Sequence, residues 1–288
     1  MDLSKYNEAI AYIEKQLTGE INIDRAGEIA GCSAFHFSKI FLYLTDMTLK
    51  TYIRNRRMTL ACYDLQKTDE KVIDLALKYG YESPTAFNRA FKKVHGVAPS
   101  KVKQKKVSLN YHEPITLNIE IKGNRNFTYT IEEKETFRIV GVKEKYAINI
   151  EDNFNKVPIQ WFKATVSGKI KKILSLNDQE EKRLLGVSVF DDDGMFSYYI
   201  AAESDQEKPK NFDEYVVEKN QYAVFQCVGA VPKALQQLQK NIITDWLPAS
   251  GYEYANAPDI EVYYEGNRND DDYRCEVWLP VKDIKERT

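Results

Sequence analysis

Two acidic residues interrupt apolar runs near the C-terminal end of this 288-residue chain: Glu261 in DIEVYYE and Glu276 in RCEVWLPV. Strand alternation puts Glu261 and Tyr263 on one face, with Ile260, Val262 and Tyr264 on the other. It likewise sets Glu276 beside Trp278, opposite Cys275, Val277 and Leu279. The ends of adjacent antiparallel strands could bring the two pairs together. Carboxylates among Tyr and Trp rings have the makings of a cation site, since charge attraction adds to cation–π attraction; a solvated strand face has the same pattern. A second polar set lies in SPTAFNRAFKKVHG, Ser83 to Gly96. Phe87, Ala90, Phe91 and Val94 recur at i, i+3, i+4 and i+7, one face of a helix, which leaves Thr85, Asn88, Arg89, Lys92 and Lys93 elsewhere. Asn suits an adenine edge, Arg a guanine edge and Lys a phosphate, so this front is the chemistry of DNA reading. Catalytic patterns are missing: there is no G-x-S-x-G and no Cys/His pairing. The four cysteines have no CxxC spacing, and His36, His95 and His112 complete no metal pattern. No cofactor and no metal are expected.

These side chains need elements to position them. Shifting the chain by fifty residues lays INIDRAGEIAGCSAFHFSKIFLYLTDMTL over KVIDLALKYGYESPTAFNRAFKKVHGVAP. Ile23, Asp24 and Ala26 then match Ile73, Asp74 and Ala76; Ser33, Phe37 and Phe41 match Ser83, Phe87 and Phe91; Lys39 falls on Arg89. Each copy reads as helix, glycine-bearing turn, helix, with a serine capping the second helix. The helices are expected over 23–30 and 33–44, then 71–79 and 84–95. LKTYIRNRRMTLACYDLQ between them holds neither Gly nor Pro and reads as a rigid helical spacer. One chain could then present two reading helices to adjacent major grooves of double-stranded DNA, about 34 Å apart. In the first copy the front carries Ser33, Ala34, His36, Ser38 and Lys39. Lys50, Arg54, Arg56, Arg57 and the KVKQKK run (101–106) are either phosphate contacts or solvated charges.

Charge separates the two halves. Residues 1–106 hold 18 basic and 12 acidic residues, the remainder 23 and 31, so a near-neutral total conceals a basic front and an acidic back. No run approaches the ~18–20 apolar residues of a membrane helix, and the amphipathic start does not read as a signal peptide. A reduced, cytoplasmic chain without a membrane partner is expected.

IDLALKYGYESPTAFNRAFKKVHGVAPSKVK closely resembles the signature of the AraC/XylS-family transcription regulators. The order is apolar-Ala, a glycine-aromatic turn, Ser-Pro, Phe-x-Arg-x-Phe-Lys and Gly-x-x-Pro. The resemblance implies a seven-helix DNA-binding domain with two helix-turn-helix motifs over 1–108, with Pro84, Thr85, Asn88 and Arg89 on the second reading helix. Two departures stand out. Ala26-Gly27 replaces the usual Leu-Ala, which should weaken that helix by roughly 1 kcal/mol, and Val102-Lys103 replaces a common Tyr-Arg pair.

After KVKQKK the period changes from 3.6 to 2. FTYTIEE, FRIVGVKEKY, a helical segment after Pro158, LLGVSVFD and FSYYIAAE are followed by FDEYVVEKN, QYAVFQCVGA, a second helix, IEVYYEG and YRCEVWLPVK. This is a duplicated β-β-α-β-β-like unit. It closes as an α+β domain with a curved antiparallel sheet and two helices, behind a linker over 109–124. VPKALQQLQKNIITDWLPASGYEYANAPDIEVYYEG…YRCEVWLPVK resembles the C-terminal motif of GyrI-like effector-binding domains over about 125–288. The resemblance implies that Glu261 and Glu276 line a pocket for lipophilic cations and that Trp278 walls it. Tyr146, Trp161, Phe162, Tyr198 and Tyr222 are further wall candidates on composition. The combined order is similar to Rob-like multidrug-response regulators, which implies a small, cationic effector and recruitment of RNA polymerase as an activator. The resemblance leaves two rivals. A pocket glutamate could serve as the base of a small-molecule hydrolase, or the domain could bind a protein, with the acidic loops 191–193 and 269–272 as contacts.

Overall fold

The computed structural model describes residues 1–104, 107–118, 127–147, 150–179, 181–190 and 195–283. The chain divides into two compact units, Leu3–Asn118 and a second whose body begins at 127. Lys105 and Lys106, residues 119–124 and the loop 191–193, all named above, lie outside the described residues. Among the described residues no helix is long and apolar enough to cross a membrane.

The first unit holds α1 (Leu3–Lys15), α2 (Ile23–Ala30), α3 (Ala34–Thr45), α4 (Leu49–Lys67), α5 (Val72–Lys78) and α6 (Pro84–His95), closed by a 3-10 turn at Pro99–Lys101. The repeat is visible in the caps: Ser33 and Ser83 Oγ each accept the backbone N–H three residues on, from His36 and Ala86. The phenylalanines four apart build one core per motif. Tyr6, Phe37, Phe41 and Tyr52 form a chain of rings 5.3–6.5 Å apart in the first. In the second, Phe87 and Phe91 join Met58, Leu65, Leu75, Tyr79, Val94 and Val102. The spacer α4 is common to both.

Gly27 has a packing reason that helix propensity does not show. A Cβ on Gly27 would stand 2.7–2.8 Å from the backbone of Cys32, Ser33 and Ala34. Only glycine lets α2 lie this close to the turn, so the residue read as a weakness is a condition of the motif.

Three basic residues read as phosphate contacts or solvated charges have partners within the chain: Arg56 is buried, Arg57 half-buried and Lys103 exposed. Arg56 is buried and pairs with Glu14 through Nε and Nη2 (2.8–3.1 Å), while Nη1 donates to His112 O. Arg57 donates to Gly19 O and packs on Gly80. Lys103 donates to Thr68 O and Asp69; its neighbour Val102 fills the core. Residues 109–118 of the segment read as linker lie along these helices: Ile115 N donates to Tyr52 Oη, and Asn7 exchanges two hydrogen bonds with Leu117.

The second unit contains β1 (Tyr129–Lys134), β2 (Phe137–Ala147), α7 (Ile150–Val166), α8 (Lys169–Ser175), β3 (Leu184–Phe190), β4 (Met195–Glu203), β5 (Asp213–Val217), β6 (Asn220–Val228), α9 (Lys233–Asn241), β7 (Tyr252–Tyr254), β8 (Asp259–Tyr263) and β9 (Arg274–Asp283). α7 begins before Pro158 rather than after it and carries the proline inside, where one backbone hydrogen bond is given up. A π-helical turn at Ile242–Trp246 prolongs α9. All pairings are antiparallel in the order β1-β6-β9-β8-β3-β4-β2-β5. Each repeat therefore sends its first strand to the other: β1 pairs β6, and β5 pairs β2. One face carries an apolar cluster drawn from β2, β3, β4, β5, β6, β8 and β9. Side chains from β5, at one end of the order, and from β6, next to the other end, belong to it, so the sheet curves around this face. α7 and α9 belong to the opposite face.

Gly27→Ala is expected to lower the melting temperature of the helical unit, by a loss of about 1–3 kcal/mol, although alanine is the better helix former. Gly19→Ala, whose Cβ meets only ordinary contacts at 3.8–3.9 Å, serves as the control in thermal melts. Equal melting of the two variants would show that the turn adjusts.

Candidate functional site

The front of α6 is open to solvent. Pro84, Thr85, Arg89, Lys92 and Lys93 are exposed, while Phe87, Phe91, Val94 and His95 point inward. Asn88 is half-buried and donates from Nδ2 to Pro84 O at 3.0 Å. On α3 the arrangement differs from expectation: Ala34 and His36 are buried and Lys39 half-buried. The third position of a capped helix lies over the cap, and His36 Nδ1 is 3.0 Å from Ser33 Oγ. Ser33 and His36 thus both take part in the start of α3.

In the second unit a group of polar and aromatic side chains converges on Glu261, at the centre of β8. Tyr198 Oη, from β4, donates to Glu261 Oε2 at 2.7 Å, and Tyr263 Oη donates to the same oxygen at 2.8 Å. Gln239 Nε2, from α9, donates to Oε1 at 2.8 Å. Trp161 Nε1, from α7, donates to Tyr198 Oη at 3.1 Å. The Trp161 ring stands edge-on to Tyr263, centroids 4.8 Å apart. Burial first, and the neighbouring Glu261 charge second, push both tyrosine hydroxyls well above their ordinary pKa. Each stays an O–H donor across the physiological range. A carboxylate offers about four acceptor positions, so three neutral donors leave room for one more partner. Among the described residues Glu261 makes no ion pair.

Space for this arrangement comes from Gly186 on β3, the register partner of Glu261. A Cβ there would overlap Tyr198 Oη and stand 2.8 Å from Glu261 Oε2. Tyr146 lies one link further out: it donates to Gln160 Oε1 at 2.8 Å, and Gln160 Nε2 donates to Tyr198 O.

Glu276 and Trp278 do not join the group. In an antiparallel pair, residues directly opposite share a face, and Glu261 stands opposite Val277. Glu276 and Trp278 therefore project from the other side, the side of the strand-built core. There Glu276 Oε2 accepts from Trp278 Nε1 at 2.7 Å, and Lys134 lies 4.2 Å above the indole centroid. Tyr222 is on that side too, 6.2 Å from Trp278. Phe162 is 69% exposed; it follows Trp161 directly, and on a helix adjacent residues face different ways.

Sequence reasoning missed three residues. Gln239 stands four after Leu235 and three and four before Ile242 and Ile243, a polar side chain at an inward position of an apolar stripe. Gly186 interrupts LLGVSVF, and a glycine inside a strand marks a close approach. Arg268, whose guanidinium lies over Trp161 and Tyr263, has no signal in its loop sequence.

Comparison with known proteins agrees with both units. Residues 127–282 match the family of GyrI-like small molecule binding domains, and residues 27–105 a helix-turn-helix domain family. The chain is 36% identical over 94 residues to the HTH-type transcriptional activator AarP of Providencia stuartii, covering 33% of this chain and 70% of that protein. It is 34% identical over 91 residues to regulatory protein SoxS of Escherichia coli K12, covering 32% of this chain and 85% of that protein. Among solved structures, SAV2435 bound to tetraphenylphosphonium is 26% identical with a TM-score of 0.51, covering 56% of this chain and 97% of that one.

Gly186→Ala is expected to destabilise the second unit by about 1–3 kcal/mol in urea unfolding, because Tyr198 or Glu261 must move. With that contact already broken, adding Tyr198→Phe should cost much less than Tyr198→Phe alone. Additive losses would show that the glycine does not serve the hydrogen bond.

Proposed function

Because the chain belongs to the GyrI-like small-molecule-binding family and carries an AraC-type helix-turn-helix domain, we propose that it is a transcription activator that senses a lipophilic cation at Glu261. The chain is a DNA-binding transcription regulator with a small-molecule-binding domain, and the relatives it matches are regulators. The observation that carries the cation reading is the carboxylate of Glu261, half-buried, held by three neutral donors and, among the described residues, by no cation, beside the rings of Trp161 and Tyr263. An anionic ligand would meet repulsion there, and a neutral one would leave the charge uncompensated. A cation with an aromatic surface gains from the carboxylate and the rings together. The structural relative that binds tetraphenylphosphonium supports the same class.

The DNA reading rests on the exposed front of α6. Thr85, Asn88 and Arg89 face the base edges of a major groove, with Lys92 and Lys93 on phosphates. α3, held by the shared spacer α4, serves an adjacent groove through Lys39. α4 has 19 residues, about 28 Å at 1.5 Å per residue, a spacer on the scale of one turn of DNA. Recruitment of RNA polymerase in the cytoplasm completes the proposed activity.

Two measurements test these readings. In calorimetric titration, tetraphenylphosphonium is expected to bind the wild type at micromolar affinity and to lose most of it in Glu261→Gln. Neutral triphenylphosphine oxide should not bind either. Binding of both compounds to both proteins would show that shape, not charge, is read. Arg89→Ala should weaken operator binding by about 1–3 kcal/mol while leaving random-sequence DNA nearly unaffected; equal loss on both would make Arg89 a phosphate contact.

A further inference from the structure

The aromatic surface beside Glu261 is already covered by a cation from the chain itself. Arg268, in the loop between β8 and β9, places its guanidinium carbon 4.4 Å from the Trp161 ring centroid and 4.8 Å from that of Tyr263. Those two rings stand 4.8 Å apart at 63°, so one planar group touches both. The guanidinium rides on the rings and makes no ion pair with Glu261 among the described residues. The carboxylate is left held by Tyr198, Tyr263 and Gln239. Arg268 is thus a cation placed on the rings but withheld from the charge.

The backbone around Arg268 is pinned. Val231 N donates to Arg268 O at 2.8 Å, which ties the loop to the turn that leads into α9, the helix that supplies Gln239. Asn267 Nδ2 donates to Asp270 Oδ1, and Tyr273 Oη donates to Tyr264 O. With its main chain fixed, the arginine leaves the rings only by turning its side chain away.

We propose that Arg268 is a specificity-determining residue: a tethered cation that occupies the effector's place on Trp161 and Tyr263 and that every effector must displace. The inference rests on the reading of Glu261 as a cation site. A guanidinium is planar, weakly hydrated and stacks well on aromatic faces. Its tether also gives it a high effective concentration, on the millimolar scale. A compact, strongly hydrated ammonium therefore loses to it. A neutral aromatic compound displaces it only by taking the rings from the arginine while giving Glu261 no charge partner. A large cation whose charge is spread over aromatic groups wins, because it covers the rings and pairs with Glu261 at once. The selected class is thus broad, delocalised, lipophilic cations, chosen by competition and not by a fitted pocket.

The test uses the full-length wild type, Arg268→Ala and Arg268→Lys, each checked for a cooperative melt, titrated with tetraphenylphosphonium in the absence and presence of ethylguanidinium. Arg268→Ala is expected to bind tetraphenylphosphonium about ten-fold more tightly than wild type, with Arg268→Lys between them. Ethylguanidinium in the millimolar range should compete in Arg268→Ala and change the wild-type curve little. Equal or weaker binding by a folded Arg268→Ala would overturn the proposal and make Arg268 part of the wall. Should none of the three proteins bind tetraphenylphosphonium, the cation reading of the effector fails. Ethylguanidinium then decides the arginine's role by itself: a higher melting temperature for Arg268→Ala but not for wild type retains the tethered cation, and no difference removes it.

Discussion

A carboxylate at the centre of a sheet face, met by neutral donors instead of a cation, is the constraint around which the second unit is arranged. Taking a charge partly out of water is unfavourable unless hydrogen bonds replace the lost hydration. Tyr198, Tyr263 and Gln239 supply that replacement from two strands and a helix. Each donor places a demand further out. Tyr198 fits beside Glu261 only because Gly186 has no side chain, and its hydroxyl accepts in turn from Trp161 on α7. Gln239 requires α9 to cross the same face. One acidic side chain thereby ties β3, β4, β8, α7 and α9 into a single site.

The two repeats exchange their first strands, and the site lies at a third pairing between them. With β1 on β6 and β5 on β2, neither repeat can complete its sheet alone. The repeats also meet at the pairing of β3 with β8, which is where Gly186 meets Glu261. The strand-built core on the opposite face stabilises the curvature; Trp278 belongs to that core, and half-buried Glu276 projects from the same side. A polar residue in a strand can serve either face, and the one-residue offset between 276 and 277 decides which.

The helical unit obeys a different constraint. Two motifs share α4, so α4 must be held firmly from both sides. The Arg56–Glu14 pair and the segment 109–118 do this, with Arg56 joining α1 and α4 to His112 O. Removing one partner of such a buried pair is strongly unfavourable, which explains why an arginine among basic neighbours is spent on packing while Arg89, Lys92 and Lys93 stay in solvent.

The local grammar was legible from residues alone. Serine caps, phenylalanines four apart and the glycine-bearing turns specify both helix-turn-helix motifs, because a helix is set by contacts within a few residues. Alternation likewise placed Tyr263 on the same face as Glu261, and composition named Tyr198 and Trp161 as aromatic candidates. Tertiary structure decided the rest. It separated Glu276 and Trp278 from Glu261, since strand register is a long-range property. It brought Tyr198, Trp161 and Gln239 to one carboxylate across separations of 22 to 100 residues. It turned Arg56 inward, drew His36 to its own cap and made Gly27 a requirement, because burial and close approach exist only once elements pack. It also laid Arg268 on two rings. Periodicity shows which way a side chain leaves its own strand or helix; what it meets there is settled by other parts of the chain.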